Sequence, residues 1–466
     1  MPDSCWHWMK GNRRDIDVSK KWCEFMPVQY SERNLVTELR NPSRIAGFAI
    51  VILFSSFAAA QQPTNQQDYD IAQRKAVTAV RRIDGGLITP EVFANYNKHL
   101  KAYRSLLSSG ANPRNQGEME TLRAGLKYRI LVLSDSTVQG GGSAFGIAFS
   151  NVERDLSSAG NLIQNAIDKK SFRELVYRES LPFIKQLLQD NLLARSAGLE
   201  LALEMEVVAP RGGARIEMFD QVEDLILSVL NDANQPDAVK IRAANSAKRY
   251  LIKANAIPQI QNALAEALIA ELNRPFAGVA LQNAVLMALE YVTSPRQLVG
   301  ERKPIVLEAA VNVMSDQTRE LRLRCRAARV AGRTGYDAQV NFEPIAWKVA
   351  ELTLETAARF SQDQNKDKPD WDFCGWYLYT AFHHENKQET QGRPPGEPKG
   401  FLNRDARSEV IRSAYLAAVG PMGQMMFENS AVDVRQLTSL AKWTDKNIPS
   451  NMKFDQTCDE IKPAGR

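Results

Sequence analysis

The chain has 466 residues, 44% hydrophobic and 24% charged, with 59 Lys and Arg against 54 Asp and Glu. That is the composition of an ordinary globular chain of two or three domains, and it excludes a collagen-like or wholly disordered one. Residues 1–60 hold eight basic and six acidic residues, which leaves 51 against 48 beyond them; a balance that close carries no electrostatic footprint for nucleic acid.

Residues 45–60 (IAGFAIVILFSSFAAA) are apolar or small, follow Arg40 and Arg44, and end in Ala58-Ala59-Ala60 before the polar Gln61-Gln62-Pro63. Basic flank, apolar centre and small-residue end are the three parts of a secretory signal peptide. The stretch is shorter than the roughly 20 residues that span a bilayer. Export to the periplasm or cell envelope of a bacterium, with cleavage after Ala60, is therefore expected. An uncleaved anchor, the only membrane contact foreseen, and a buried helix are the alternatives. Residues 1–40 carry Cys5, Cys23 and three of the seven Trp. They do not read as part of a leader, so translation is expected to start downstream, at Met26 or near Val36. Beyond Ala60 only Cys325, Cys374 and Cys458 remain, too few for a disulfide framework. Cys374 and Cys458 are a candidate pair in an oxidising compartment. Cys325, on an apolar helix face, reads as a small core residue.

Residues 61–69 read as a polar linker. Helical periodicity begins near Asp70, with Ile71, Val77 and Val80, and stops at Gly85-Gly86. Thr89-Pro90-Glu91 is a helix start with an N-cap, a proline at the first helical position and an acid in the first turn. That helix sets Val92, Tyr96, Leu100 and Tyr103 on one face, and a third helix covers 119–133. Gln139-Gly140-Gly141-Gly142-Ser143 interrupts the pattern and matches neither glycine-rich phosphate-binding frame. Helices resume near Asn151, with Ser171 as a cap. Residues 70–175 together read as a helical lead-in that caps one end of the segment beyond it.

In that segment four stretches fall in one register, beginning at Ala194, Ile241, Leu281 and Leu323. Their second positions, 195, 242, 282 and 324, are 47, 40 and 42 residues apart; three carry Arg there and three carry Ala two places later. An amphipathic run precedes each (181–188, 222–230, 260–272 and 304–314), and another covers 342–360. Spacing of this size predicts paired helices stacked side by side, each covering its neighbour's apolar stripe. On these residues the region resembles HEAT repeats, a branch of the armadillo-like helical superfamily. The resemblance implies an α-solenoid whose surface serves protein–protein scaffolding.

Arg319, Arg322, Arg326, Arg329 and Arg333 step by 3, 4, 3 and 4 and so form one basic stripe. It reads either as a solvated face paired with Glu308, Glu320 or acids of the next repeat, or as a binding surface for an acidic protein or an anionic envelope polymer. Residues 371–382 are dense in aromatics and read as the seal of the repeat end or as part of the contact surface. Asp363, Asn365 and Asp367 open like a calcium loop, but Lys368 and Cys374 stand where glycine and an acid are needed. His383 and His384 match no usual zinc spacing. Residues 383–400 form a Pro/Gly linker, and helices over 406–419 and 432–443 make up a small C-terminal segment.

The expected architecture is all-α: N-terminal extension and leader (1–60), linker (61–69), lead-in (70–175), HEAT-like hairpins with an aromatic end strip (176–382), linker (383–400) and C-terminal segment (401–466). The expected function is a non-catalytic scaffold with protein partners and no nucleic acid. No catalytic residue, metal or cofactor is assigned. The alternative is an envelope enzyme or ligand-binding protein with a pocket near Trp376, His383 and His384.

Overall fold

In a computed structural model of the chain, Thr89 does what its position requires. Its hydroxyl accepts from Val92 N at 3.2 Å and caps helix α2, Pro90–Ser109. The structure describes residues 66–81, 87–140, 143–208, 216–254, 256–365, 369–383, 400–404, 408–428 and 430–464. The expected leader, both candidate translation starts and His384 lie outside these residues. By its contacts the chain divides into Met1–Gln62 and Pro63–Arg466, and all the described elements belong to the second unit.

Among the described residues, eighteen α-helices carry the chain, so the unit is all-α. Helix α1, Gln66–Arg81, starts inside the stretch that reads as a linker. Its Tyr69 hydroxyl donates to Asp237 Oδ1 at 2.7 Å, and its Gln73 accepts from Asp237 N at 2.8 Å. Helices α2 and α3 (Gln116–Leu131) form a hairpin around buried Tyr96, Tyr103, Leu122 and Ile130. Gly110 ends α2 with φ 65°, and a Cβ there would meet Ile163 at 2.6 Å, so no other residue fits without strain. The glycine-rich stretch falls between the short α4, Ser136–Gly140, and α5, Ser143–Ser157. Helix α6, Ala166–Leu187, is capped by Asn165, so Ser171 sits inside it rather than at its start.

The remaining helices alternate between two rows. The first row is α8 (Val222–Asn231), α10 (Pro258–Leu272), α12 (Ile305–Ser315) and α14 (Glu343–Gln362). The second is α7 (Leu192–Ala202), α9 (Asp237–Lys253), α11 (Val279–Leu289), α13 (Leu321–Arg333), α15 (Pro369–Phe382) and α17 (Glu409–Phe427). Each packs against the next of its own row, and α8–α9, α10–α11, α12–α13 and α14–α15 pack as consecutive pairs. Small residues permit the close approach: Ala243, Ala244 and Ala247 on α9 and Ala327, Ala328 and Ala331 on α13 are fully buried.

A ribbon that the helical periodicity does not foretell breaks the alternation between α7 and α8. Strand β1 (Glu206–Val208) pairs antiparallel with β2 (Glu217–Met218). Buried Arg173 holds it in place, donating to the carbonyls of Ser157, Ala159 and Glu206 at 3.0–3.1 Å. Short α16 (Phe401–Arg404) precedes α17, and α17 and α18 (Val434–Lys446) pack back on α14. The chain then runs irregularly: the Phe454 carbonyl accepts from Asn341 N, Trp347 Nε1 donates to Thr444 O at 3.0 Å, and Phe454, Cys458 and Ile461 are buried.

At Gly332 two helix backbones touch: a Cβ there would fall 2.1 Å from the Ala381 carbonyl oxygen. Gly332→Ala is expected to force α13 and α15 apart and cost about 1–3 kcal/mol, as overpacking does. Gly423→Ala in α17 meets nothing within 4 Å and should be neutral or stabilising by up to about 1 kcal/mol. Urea unfolding of the two variants checks the contrast.

Candidate functional site

From Arg326 on, the arginine stripe is buried and paired inside the protein; only its first residues, Arg319 and Arg322, keep part of their surface in water. Residues 323–334 are buried without a break, so α13 has no exposed side. Arg319 donates to Gln282 Oε1 at 2.7 Å and to Leu272 O at 3.2 Å. Arg322 bonds Asp370 at 2.5 Å and lies 4.4 Å over the Phe373 ring. Arg326 lies 4.2 Å over the Tyr377 ring and donates to its hydroxyl. Arg329 forms a two-pronged pair with Glu290, both bonds 3.0 Å, and donates to Thr380 Oγ1 at 3.1 Å. Arg333, fully buried, pairs with Glu290 at 2.9 Å. The stripe therefore faces α15 and the end of α11. A planar guanidinium stacked on an aromatic face lets Arg326 stay buried over Tyr377, while Arg322 over Phe373 remains partly exposed.

Glu290 is the acid that makes this tolerable, and periodicity gives no sign of it. It stands at the end of an almost wholly apolar helix, 39 residues before Arg329. Burial alone raises its pKa, but Arg329 and Arg333 beside it hold it down, to about 2 from an ordinary 4.5.

A second polar arrangement recurs. Lys240 donates to Leu230 O, at the end of α8, at 3.1 Å and pairs with Glu271 of α10. Arg324 donates to Met314 O, at the end of α12, at 3.0 Å and pairs with Glu355 of α14 at 2.7–2.8 Å. The triplets 230/240/271 and 314/324/355 are each 84 residues apart, twice 42. The counterpart of Arg324 is thus Lys240, not the Arg242 that the sequence register sets opposite it. Midway stands Gln282; there the carbonyl of Leu272 is met by Arg319 instead.

Helix α15 lies between α13 and α17, so its aromatics cover neighbours on two sides instead of ending the row. Trp376 stacks on Tyr379. The His383 ring lies 5.2 Å from that of Tyr379 and 4.5 Å from that of Tyr415, and burial lowers its pKa. Its described ring contacts are aromatic, and no carboxylate converges on it with Trp376 among the described residues. At the calcium-like opening, Asp363 accepts from Asn365 N at 2.9 Å and from Trp371 Nε1 at 3.1 Å, while Asp367 is outside the described residues. No group of three metal-ligating side chains occurs among the described residues, and no described helix is long and apolar enough to cross a membrane.

One cavity, of about 430 Å³, lies between α12, α14 and the last residues of the chain. Glu308, Asn312, Ser315, Lys348 and Ile461 line it. Buried Lys348 spends two of its donors on Glu351 and Lys462 O, at 2.7 and 2.9 Å. Acids and bases mix on its wall, so its charge selects no ligand class. In comparisons with known proteins, the chain matches no family model and no curated protein.

Glu290→Gln leaves two buried guanidinium groups without their counter-charge and is expected to cost about 3–5 kcal/mol in denaturant unfolding. Because folding depresses the Glu290 pKa, its contribution is fully present above pH 4.5 and is lost as pH falls toward 2. Wild type should therefore lose stability across that window, and Glu290→Gln should lose less across the same window.

Proposed function

We propose that the chain is an exported, non-catalytic helical-repeat protein, an α-solenoid of HEAT-like hairpins that acts as a protein–protein interaction scaffold in the bacterial cell envelope. The observation that carries this reading is the polar triplet that returns after 84 residues: lysine or arginine one turn into a second helix, a carbonyl in the last turn of the first helix, and an acid on the next first helix. In the two pairs that carry it, this device ties the second helix to the first helix of its own pair and to the first helix of the next pair in sequence, the nearest-neighbour coupling that stabilises a solenoid. Packing of every second helix on the next supports it too. That repeat folds serve scaffolding is an argument from fold.

Most of the arginine stripe is consumed internally, so the partner surface lies elsewhere in the second row. Ile241, Arg242 and Asn245 on α9, with Gln282, Asn283 and Met287 on α11, are only half-buried and present a mixed apolar and amide face. A folded protein with its own polar-rimmed apolar patch fits such a surface better than a strongly charged polymer does.

Two measurements test the reading. The protein isolated from the envelope fraction is expected to begin at Gln61; an N-terminus at Met1 or Met26 would contradict export with cleavage. A photo-crosslinking residue at Asn245 or Asn283 should give one discrete protein adduct in cells, and the same residue at exposed Ala270 on α10 should not. Absence of an adduct from both positions would remove the scaffold.

A further inference from the structure

Cys325 and Cys374 lie on neighbouring helices of the second row, α13 and α15, and both are buried, at 0% and 2% exposure. Their register is fixed from both sides. Each stands seven residues, two helical turns, before Gly332 and Ala381, where the two backbones touch. Arg322, three residues before Cys325, meets Asp370 and Phe373, four residues and one residue before Cys374, and Arg326 meets Tyr377 just after the cysteines. The helices therefore run parallel and in step past the cysteines, which sets Cys325 and Cys374 at facing positions of the α13–α15 contact; Cys325 Sγ also lies 3.6 Å from Thr356 Oγ1 of α14. Cys458 is elsewhere. It lies in the C-terminal stretch near Glu308 and Lys303, beside Thr457, so it is no partner for Cys374.

We propose that Cys325 and Cys374 are a disulfide site: in an oxidising compartment they form a cross-link that staples α13 to α15, while in a reducing one they remain a buried dithiol. The oxidant is a disulfide, either a small molecule or a thiol–disulfide oxidoreductase. One cysteine thiolate attacks it and releases one thiol. The second cysteine then attacks the mixed disulfide and releases the other. Two protons and two electrons leave the protein, one S–S bond is broken and one forms. The neighbouring Cys325 thiol, together with burial, pushes the Cys374 thiol well above its ordinary range, which disfavours the attacking thiolate in the closed structure. The cross-link therefore forms while α15 is still open, during folding. It closes a loop of about 50 residues, long enough to restrict the unfolded chain substantially.

The test refolds the full chain in buffers of reduced or oxidised glutathione, blocks free thiols and maps the peptides by mass spectrometry. This requires no assumption about export, so it is separable from the scaffold reading. With oxidised glutathione the expected product joins the peptides holding Cys325 and Cys374, leaves Cys458 alkylated, and melts roughly 5 °C higher than the reduced form. Cys458→Ser should keep the cross-link, and Cys325→Ser and Cys374→Ser should each abolish it. Persistence of both thiols after oxidative refolding, glutathione adducts on both in place of a cross-link, or a Cys374–Cys458 product would overturn the proposal.

Discussion

The second half of the molecule is organised around a charge problem. Helix α13 carries Arg322, Arg324, Arg326, Arg329 and Arg333 within thirteen residues, and four of these are buried. An unpaired guanidinium in a protein interior is among the most expensive groups to place. The structure resolves the problem from three directions: Glu290 from α11, Glu355 from α14, and the aromatic faces of α15. None of these is near α13 in sequence, so the charges can be satisfied only when four helices are in register. A purely apolar interface tolerates sliding; this one does not.

That requirement explains why α15 is so aromatic. Phe373 and Tyr377 lie one turn apart and meet Arg322 and Arg326, which are four residues apart on α13. Tyr379 and Phe382, turned the other way, pack with Tyr415 of α17. One helix thus buries cations on one side and apolar rings on the other. The C-terminal stretch adds a further tie across the first row: Arg296 holds both Asp337 and Asp455, and the acids' pKa values are lowered by its hydrogen bonds despite burial, which alone would raise that of Asp455. Ends distant in sequence are in this way fastened to the middle.

Helix existence was legible because amphipathic periodicity is a local property. Asp237–Lys253 and the Thr89 start are found where the pattern puts them. The ribbon at 206–218 was not legible, because its strands are two and three residues long and are held by Arg173 from another helix. The arginine stripe shows the sharper limit. A 3, 4, 3, 4 spacing says that five side chains share a face; it cannot say what that face meets, because the partners Glu290 and Tyr377 are 39 residues before Arg329 and 51 after Arg326. The 42-residue period was visible, but its polar register was displaced by two residues at Arg242. Lys240 is the residue that reaches both the preceding carbonyl and the following acid. At the candidate pocket, Trp376 and His383 were visible as residue types, whereas the aromatic shell around His383 depends on Tyr415, brought in by a helix beyond the Pro/Gly stretch.

Native-state hydrogen exchange resolved by residue tests the central claim most directly, because local opening reports how completely each helix is enclosed. If α13 is held on every side by Glu290, Glu355 and the rings of α15, its amides from Leu323 to Arg333 exchange only on global unfolding, at the slowest rates in the chain and together with those of α15. Rapid, independent exchange along α13, at rates like those of the mostly exposed α1, would contradict the account.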